Sequence, residues 1–515
     1  MKLNNSFDRL LKFICITVIV IGVFYRVTNL GFKFYWGDEV RTSMRISGYT
    51  EEQVVKTSYT GNVLAFAQLQ HYHYPHEERS ISNTLSALAH HPEHPPLYYL
   101  SARIWVQFWM QWFEDSIAVT RSLSAFFSVL AIPCVFWLCR ELFASPRVAW
   151  ITTALIAISP LHILYAHEAR QYSLWTLTTL FSSAVLIRSI RVCSVKSWGI
   201  YSISIAMGLY SHLFFTFVSI AHGIYIWGTE GVHRSKVVVS YLVSSAIGWL
   251  LFSPWIFIIL TKASRTSEAI DEGESSVEVS FLIYRWLRNL NRVFFDSNLG
   301  NLNFILALFV VYALYILIRE TPKMVWLLVL AIVGTNALAL MIPDVLFGSR
   351  RSAGLRYLFA AYTGIQIAVG YLFSTKLQSL KVWQQQAWRV IFILFLTVGT
   401  VAGAIDLQKE VTWNKSDDKA KFYIPAAENI DRSTDPLLIT AADPVQVLTL
   451  SYRVKPETKF QLLPDDKIQT IPKDRSIFLF NPSERLKQKI ENLANGTLEL
   501  VENRKDELKL WKLDR

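Results

Sequence analysis

Long apolar runs dominate the first four-fifths of the chain, where few polar positions interrupt them. About eleven runs approach or reach the roughly 20 residues that a helix needs to cross a bilayer. They are residues 11–30, 117–139, 147–166, 172–190, 197–211, 213–229, 237–259, 303–318, 324–342, 355–374 and 387–405. This pattern predicts an α-helical polytopic membrane protein with about eleven transmembrane helices.

The first apolar run begins in a basic N-terminal segment. Lys2, Arg9 and Lys12 lie around its start, the run is long for the core of a signal peptide, and no small-residue cleavage site follows it. We therefore expect an uncleaved first transmembrane helix whose N-terminus lies in the cytoplasm.

A further apolar stretch, residues 97–113, decides which loops face which side of the membrane. If it does not cross, the short basic loops all lie on the cytoplasmic side, as the positive-inside rule requires. If it crossed, every later basic loop would move outside. Its Trp105, Trp109 and Trp112 suit the membrane surface, so the sequence predicts an interfacial or re-entrant helix here.

Three larger regions then lie outside the cytoplasm: residues 31–116, residues 260–302 and the tail from about residue 406. The tail has short β-like runs, separated by Asp and Pro turn signals, at residues 436–440, 445–452 and 476–480. We predict a transmembrane domain over residues 1–405, whose outer loop 31–116 carries the active site. A small soluble, extracytoplasmic α/β domain follows over residues 406–515.

Composition supports the membrane class. The 515 residues are 52% hydrophobic, and the net charge of +11 comes mostly from Lys and Arg in short loops, where they orient helices. Nucleic acid is therefore not expected as a partner. The four cysteines lie in or beside apolar runs without the paired spacing of zinc sites or disulfide frameworks, and we interpret them as small core residues.

Asp38 and Glu39 are adjacent carboxylates that follow the first predicted span, next to aromatic residues. A carboxylate in this place can act as a general base if its neighbours hold it over a substrate hydroxyl. The alternative is a solvated pair that ends a helix or binds Arg41 or Arg45. The pair alone leaves both interpretations open.

The same outer loop ends in a histidine-rich turn that is held by prolines. His90, His91, Glu93 and His94 alternate with prolines that prevent a helix from starting before Leu97. Glu and His are ordinary metal ligands, but the spacing is not diagnostic. Metal binding, phosphate binding and simple hydrogen bonding all remain open for this turn.

More polar residues recur on the predicted outer side. Glu168 and Arg170 lie at membrane depth, where charge is costly unless it is paired or functional. Arg170 suits a phosphate, because its planar fork can hold two oxygens, although an ion pair with Glu168 is the alternative. His212 and Arg356 also lie near outer helix ends, where an anionic lipid-linked substrate would explain the arginine. His212 can equally be a packed core histidine.

Taken in order, these motifs resemble the GT-C superfamily of integral-membrane glycosyltransferases. The resemblance is to the branch of protein O-mannosyltransferases and the lipid A aminoarabinose transferase (glycosyltransferase family 39-like), over residues 10–405. The matching pieces are Asp38-Glu39, Glu93-His94-Pro95-Pro96-Leu97-Tyr98-Tyr99, Arg121 within Thr120–Ala125, Glu168-Ala169-Arg170-Gln171-Tyr172-Ser173, Tyr210-Ser211-His212 and Arg356-Tyr357. Each piece is short, and their ordered combination carries the resemblance.

The resemblance implies an inverting transfer of a sugar from a polyprenyl-phosphate donor to an acceptor hydroxyl outside the cytoplasm. It implies Asp38, with Glu39 beside it, as the catalytic carboxylate. The donor phosphate would be bound by His94, Arg170, Tyr172, Arg356 and Tyr357. His94 departs from the aminoarabinose transferase, which has a lysine there. The resemblance also implies Glu93, His212 and Glu168 as substrate ligands, with a divalent metal at Glu93 and His212 in one relative.

The implied partners are the lipid-linked donor, membrane lipids, and a lipid, polysaccharide or protein acceptor. The implied location is a bacterial inner membrane, with the active site and the C-terminus outside the cytoplasm. Two alternatives remain. A transporter or flippase of lipid-linked sugars would usually show related halves, and none is evident. A lipid-linked oligosaccharide ligase or oligosaccharyltransferase would lack this clustering of Asp-Glu and Glu-His-Pro-Pro in one loop.

Overall fold

A computed structural model gives the structure of most of the chain. It describes residues 2–231, 235–262, 277–297, 299–378, 381–415, 417–465, 468, 470–472, 474–504 and 507–515. Residues 263–276 and 298 of the predicted outer region 260–302 therefore lie outside the described residues.

The described residues form helices along most of the chain, one short strand near residue 64 and five strands in the last fifth. The helices are α1 (Lys2–Val27), α2 (Gly37–Ile46), α3 (Glu51–Ser58), α4 (Phe66–Leu69), α5 (Ile81–Ala89), α6 (Pro96–Trp109), α7 (Ser116–Leu142), α8 (Pro146–Ala157), α9 (Pro160–Ala166), α10 (Tyr172–Val192), α11 (Val195–Ser211), α12 (Phe215–Glu230), α13 (Lys236–Thr261), α14 (Val279–Phe294), α15 (Asn303–Glu320), α16 (Lys323–Phe347), α17 (Phe359–Lys376), α18 (Val382–Gln408), α19 (Asp417–Asp431), α20 (Pro444–Ser451) and α21 (Glu484–Ala494). The strands are β1 (Val63–Ala65), β2 (Leu437–Thr440), β3 (Lys459–Leu462), β4 (Ile477–Phe480), β5 (Thr497–Arg504) and β6 (Leu508–Asp514).

The chain folds into two compact units. The first, called the helical unit below, comprises Met1–Leu30, His91–Tyr98 and Arg121–Gln408. The second, called the mixed unit, comprises Gly31–His90, Tyr99–Thr120 and Lys409–Arg515. Much of the first predicted outer loop thus folds with the C-terminal residues. The predicted domain boundary at 405/406 did not anticipate this grouping and stays a prediction.

The prediction of a multi-span helical membrane protein is confirmed. Among the described residues, 7 helices are long and apolar enough to cross a membrane, or 8 if the bent pair α8 and α9 forms one span. The count of about eleven stays a prediction. Three of the predicted spans correspond to α11, α12 and α17, which have 17, 16 and 18 residues.

The bent pair α8–α9 is held by α1. The two helices meet at 55° where the chain breaks before Pro160, which cannot donate a backbone hydrogen bond. Arg26 of α1 is fully buried, and its guanidinium donates to the carbonyls of Ile156 (2.9 Å) and Ala157 at the end of α8. Since the last carbonyls of a helix have no partner within the helix, Arg26 caps α8 inside the membrane-spanning region.

Close packing of α1 against the end of α8 lets the Arg26 side chain reach the carbonyls of α8. Gly22 lies one turn before Arg26 on α1, and a Cβ atom there would collide with the carbonyl oxygen of Ala157. The Arg26 guanidinium also donates from Nε to the hydroxyl of Ser128 (2.9 Å) and from Nη1 to the carbonyl of Gly22 (2.7 Å). Every hydrogen bond of this buried cation is thus made to a neutral acceptor on α1, α7 or α8.

The mixed unit contains a six-stranded sheet with the order β1-β3-β2-β4-β6-β5. Its centre is parallel, since β2 pairs in parallel with both β3 and β4. The edges are antiparallel, and β1 joins from the first predicted outer loop by pairing Val63 with Gln461. The predicted α/β character of the tail is confirmed, with strands at residues 437–440 and 477–480.

One predicted strand, residues 445–452, is wrong, because residues 444–451 form helix α20 instead. Asp443 lies at the N-cap, and its Oδ1 accepts hydrogen bonds from the backbone N–H groups of Val445 (2.9 Å) and Gln446 (3.2 Å). Pro444 occupies the first turn, where its fixed φ and missing N–H favour a helix start. The β-branched residues that suggested a strand are overridden by this N-terminal chemistry.

The stretch predicted as an interfacial or re-entrant helix is helical from Pro96 to Trp109. Its Trp105 and Trp109 rings lie 5.7 Å apart, and the Trp109 and Trp112 rings lie 6.1 Å apart. The helix is confirmed, while its place in the membrane interface stays a prediction.

Arg26→Met is expected to destabilise the protein, because methionine removes every donor that caps α8. The hydrogen bonds of a buried charged group contribute about 1.5–3 kcal/mol each, so we expect a loss of about 3 kcal/mol or more. Thermal unfolding of the purified protein in detergent, compared with an Arg9→Met control at an exposed position on the same helix, measures this loss. Equal unfolding midpoints for the two variants would contradict the capping role.

Candidate functional site

The histidine-rich turn of the helical unit is built around Glu93. Its Oε1 atom lies 3.5 Å from His91 Nδ1 and 3.6 Å from His94 Nε2. The backbone N–H of His94 donates to the carbonyl of His91 (3.1 Å), and the indole N–H of Trp255 on α13 donates to the carbonyl of Pro92 (3.0 Å). The prolines and the tryptophan thus fix a turn whose side chains are half-buried.

A chain of hydrogen bonds joins this turn to two other motifs. The hydroxyl of Tyr98, which follows the turn, lies 2.8 Å from the hydroxyl of Ser124 on α7. Ser124 in turn donates to the carbonyl oxygen of Arg170 (3.2 Å). On the same helix as Ser124, the fully buried Arg121 donates to the carbonyl of Leu30 (2.8 Å). Three separate sequence motifs therefore meet within the helical unit.

The segment between α9 and α10 carries Glu168 and Arg170 in a bend. His167 donates from Nε2 to the carbonyl of Tyr25 on α1 (2.7 Å), and the backbone N–H of Arg170 donates to the carbonyl of Glu168 (2.7 Å). Glu168 is fully buried and Arg170 is 5% exposed. Such burial requires these charges to have polar surroundings, because an isolated charge in an apolar interior is very costly.

Aromatic rings connect this bend to the motif at His212. The Tyr172 ring lies 5.9 Å from the His212 ring and stacks on Phe359 at 5.7 Å. His212 itself stacks on Trp175 at 4.3 Å, and its Nδ1 accepts a hydrogen bond from the backbone N–H of Phe214 (3.1 Å). These are the contacts of a neutral, packed histidine.

The last motif joins the same cluster through Tyr357. Its ring lies 5.7 Å from that of Phe214, and the Arg356 guanidinium lies 5.3 Å from the Tyr357 ring centre. Arg356 and Arg170 both lie near enough to Tyr172 to interact with it electrostatically. Two arginines from distant parts of the sequence therefore converge on one buried tyrosine, where they can bind an anion together.

Sequence analysis missed a further contributor, Arg292 on α14. Arg292 and Arg356 both interact electrostatically with Tyr165, whose ring lies 5.1 Å from that of Tyr172. The sequence did contain a signal, because α14 carries arginines at positions 285, 288 and 292, spaced by one and two helical turns. This spacing predicts a basic helix face.

The residues do not fit a divalent metal at Glu93 and His212. Glu93 already pairs with two histidines of its own turn, and Nδ1 of His212 is occupied by a backbone N–H. Across the described part of the chain, no group of three or more His, Cys, Asp or Glu side chains is arranged to hold a metal ion. We therefore do not propose a metal at Glu93 and His212.

Asp38 and Glu39 belong to the mixed unit and have different surroundings. Glu39 is fully buried, and its Oε2 lies 2.6 Å from Nζ of the fully buried Lys415. Asp38 lies in the first turn of α2, and its side chain is 21% exposed. The Asp38 carboxylate lies 3.8 Å from Arg41, which is one of the partners considered from the sequence. Only Asp38 of the pair is accessible to a substrate.

Arg41 is shared among several acids. Its Nε lies 2.9 Å from Oε1 of Glu51, closer than its contact with Asp38, and it also interacts electrostatically with Asp443. Burial, and next the charge of Glu51, raise the pKa of the Asp443 carboxyl. The charge of Arg41 is therefore shared among the carboxylates of Asp38, Glu51 and Asp443.

No protein-family model matches this chain, and no curated protein sequence does. Solved structures do match. ArnT from Cupriavidus metallidurans in the apo state has a TM-score of 0.55 at 10% sequence identity, covering 96% of this chain and 97% of that chain. The chain has the GT-C membrane-glycosyltransferase fold. The structure of the same ArnT bound to undecaprenyl phosphate matches with a TM-score of 0.50 at 11% identity over the same shares.

An archaeal enzyme has the same fold in a longer chain. The Archaeoglobus fulgidus oligosaccharyltransferase in complex with Zn and sulfate has a TM-score of 0.50 at 14% identity, covering 86% of this chain. This chain spans 62% of the length of that oligosaccharyltransferase. The predicted resemblance to GT-C proteins is thus confirmed for the fold, whereas the roles of individual residues stay predictions.

Lys415→Met is expected to destabilise the mixed unit, because it leaves the Glu39 carboxylate buried without its cation. Breaking one partner of a buried ion pair costs about 3–5 kcal/mol. The matched control is Arg432→Met, since Arg432 forms a highly exposed pair with Glu428, and such pairs contribute about 0–1 kcal/mol. Thermal unfolding of both variants measures the difference, and a double variant Lys415→Met/Glu39→Leu should recover part of the loss. Equal stability of the Lys415 and Arg432 variants would be the contrary result.

Proposed function

We propose that this protein is an inverting glycosyltransferase. It transfers a sugar from a polyprenyl-phosphate donor to an acceptor hydroxyl on the extracytoplasmic face of the membrane. The observation that carries this proposal is the convergence of Arg170 and Arg356 on Tyr172, within the GT-C fold. The fold alone does not specify a reaction, so the proposal rests on this site.

The arginine pair suits the leaving group of the reaction. As the bond between the anomeric carbon and the phosphate oxygen breaks, that oxygen keeps the electron pair and gains negative charge. Arg170 is buried and Arg356 is half-buried, so their interaction with this charge is stronger than it would be in water. Preorganised donors of this kind contribute several kcal/mol to transition-state stabilisation.

Tyr172, Tyr357 and His94 complete the proposed phosphate site. Tyr172 is the group on which both arginines act, and Tyr357 lies beside Arg356. His94 is 18% exposed, and its Nε2 lies 3.6 Å from Oε1 of Glu93. Glu168 is the buried counter-charge in the same bend as Arg170, and we assign it to positioning that arginine.

Asp38 is the proposed general base. It removes the proton of the acceptor hydroxyl while the hydroxyl oxygen forms its bond to the anomeric carbon, on the face opposite the departing phosphate. The configuration at the anomeric carbon is therefore inverted, and the proton ends on the Asp38 carboxyl. Its partial exposure at the first turn of α2 supports this role. Glu39, buried against Lys415, holds the helix that carries Asp38.

The proposed setting is a bacterial inner membrane, with the active site and the C-terminus outside the cytoplasm. The acceptor is a lipid, a polysaccharide or a protein. The oligosaccharyltransferase match keeps ligation of a lipid-linked oligosaccharide as the second candidate. A donor with one sugar and a donor with an oligosaccharide distinguish the two in the assay below, whereas movement of donor across the bilayer without transfer would favour a flippase.

Asp38→Asn is expected to lower the turnover number for transfer by about 10²–10⁴-fold, because the amide cannot accept the proton. The assay uses radiolabelled polyprenyl-phosphate sugars and membranes that contain the wild-type protein or the variant. Asp435→Asn, at a half-exposed carboxylate of the mixed unit, is the control and should leave transfer unchanged. Transfer by the variant at the wild-type rate would remove Asp38 as the base, and no transfer by the wild type from any donor would contradict the proposed function.

A further inference from the structure

Three helices of the mixed unit begin with a carboxylate. Helix α2 begins at Gly37, α3 at Glu51 and α20 at Pro444. Asp38 lies in the first turn of α2, Glu51 is the first residue of α3, and Asp443 is the N-cap of α20. The positive end of a helix dipole favours a carboxylate in each of these places.

The guanidinium of Arg41 lies among these carboxylates. Its Nε lies 2.9 Å from Oε1 of Glu51, and its Nη1 lies 3.8 Å from Oδ1 of Asp38. It also interacts electrostatically with Asp443. A Cβ atom at Gly37 would lie 3.8 Å from Arg41 Nη1 and 3.4 Å from a side-chain methyl of α20. The starts of three helices thus meet at one cation.

Hydrogen bonds hold the two other helix starts in place. The hydroxyl of Thr50 accepts from the backbone N–H of Gln53 (3.2 Å), and the Gln53 side chain accepts from the backbone N–H of Thr50 (3.1 Å), which caps α3. Tyr59, which follows α3, donates its hydroxyl to the carbonyl of Ala442 in the loop before α20 (2.6 Å). Arg41 takes part in none of these bonds.

The cluster lies at the carboxyl end of the central strand of the sheet. Asp443 follows the end of β2 by three residues, and β2 has the parallel strands β3 and β4 on its two sides. Ligands of α/β sheets bind outside the carboxyl ends of strands, where the chain continues to neighbours on opposite sides. Asp38 therefore lies at the end of the sheet where such folds bind ligands.

The charge of Arg41 is divided unequally. Burial lowers the pKa of the Arg41 guanidinium, but the charges of Glu51, Asp38 and Asp443, in decreasing order, outweigh this effect and raise it. The pKa of Asp443 is raised by burial and next by Glu51, while Arg41 opposes this rise. Asp38 thus receives a share of one positive charge, and that share depends on two other acids.

Other charged groups around α2 stay unchanged in the test below. Helix α5 also packs against α2 and contains no titratable residue, and α20 contributes only its N-cap Asp443. On α2 itself, the Glu39 carboxylate lies 2.6 Å from Nζ of Lys415. Arg45 lies two turns after Asp38 and is 3% exposed.

We propose that Arg41 is a positioning residue for the base Asp38, and that Glu51 and Asp443 set how strongly Asp38 binds a proton. The inference rests on the proposed role of Asp38 in transfer. The charge of Arg41 stabilises the ionised Asp38 carboxylate, which is the form that accepts a proton. The two other acids offset part of that charge and keep the carboxylate basic. A residue of the C-terminal segment, Asp443, thereby acts on the reaction.

The test uses variants that change charge and keep shape. Arg41→Gln removes the cation, and Arg41→Lys keeps it. Glu51→Gln removes an acid and retains an oxygen that can accept from Arg41 Nε, while Asp443→Asn retains a good N-cap residue. The matched control is Asp435→Asn, which removes an acid that lies 3.0 Å from Nε of Arg475. Asp435 precedes β2, whose four residues span about 13 Å at 3.3 Å per residue.

The first measurement is carbodiimide labelling of Asp38 in the purified proteins as a function of pH. A carbodiimide reacts with the protonated carboxyl, peptide mass spectrometry quantifies the label, and the highly exposed Glu484 is the internal reference. The labelling midpoint should rise by about half a pH unit or more in Arg41→Gln, because the lost positive charge favours the protonated form. It should fall in Glu51→Gln and fall less in Asp443→Asn. Arg41→Lys and Asp435→Asn should stay near the wild type.

The second measurement is the pH dependence of sugar transfer in membranes. Since the base works only when it is ionised, the acid limb of the profile should move to higher pH in Arg41→Gln and to lower pH in Glu51→Gln. A merely structural role of Arg41 would instead lower the rate at all pH values and leave the acid limb in place.

Two results would overturn the proposal. One is a labelling midpoint that stays unchanged in Arg41→Gln, or that moves in the same direction in Arg41→Gln and Glu51→Gln. The other is a shifted midpoint with an unshifted transfer profile. Absence of transfer by the wild type from any donor would contradict the proposed function instead, and the labelling midpoints would still decide whether Arg41 governs proton binding by Asp38.

Discussion

The fully buried guanidinium of Arg26 is the interaction on which the helical unit depends most. A helix that breaks within a membrane exposes carbonyl groups that water cannot reach, and each such group costs several kcal/mol if it stays unpaired. Arg26 supplies donors for the end of α8, so the chain can turn by 55° before α9. Tyr25, the preceding residue, accepts a hydrogen bond from His167 at the end of α9. One turn of α1 thus holds the C-terminal ends of both α8 and α9.

The bent segment determines where charge can be placed. It brings Glu168 and Arg170 into the buried part of the helical unit, next to Tyr172 at the start of α10. Arg356, just before α17, and Arg292, on α14, lie in the same cluster although both are far away in the sequence. In this setting the positive charges are only weakly screened, so an anion with hydrogen-bonding oxygens is the natural partner of the cluster. The architecture, rather than any single residue, produces the proposed phosphate site.

Sequence alone predicted the apolar helices and the ordered motifs, because long apolar runs and charged residues at membrane depth are local signals. It did not predict that residues 63–65 form a strand with residues 459–461, since a three-residue strand has no period to detect and its partner is almost 400 positions away. Residues 445–452 were mistaken for a strand, because the strand-like composition was given more weight than the Asp443-Pro444 helix start. Arg292 was missed because its role depends on Tyr165, which is distant in sequence. Local patterns thus identified candidate residues, and tertiary contacts decided which of them meet.

The most direct measurement is a double-mutant cycle on donor binding with Arg170→Ala, Arg356→Ala and the combined variant. Binding of tritiated farnesyl phosphate to the purified proteins gives each dissociation constant. If both arginines hold one phosphate, each single variant should weaken binding by about tenfold or more, and the combined loss should differ from the sum by at least about 0.5 kcal/mol. Unchanged binding in either single variant, or strictly additive losses, would contradict the convergence of the two arginines on a single donor phosphate.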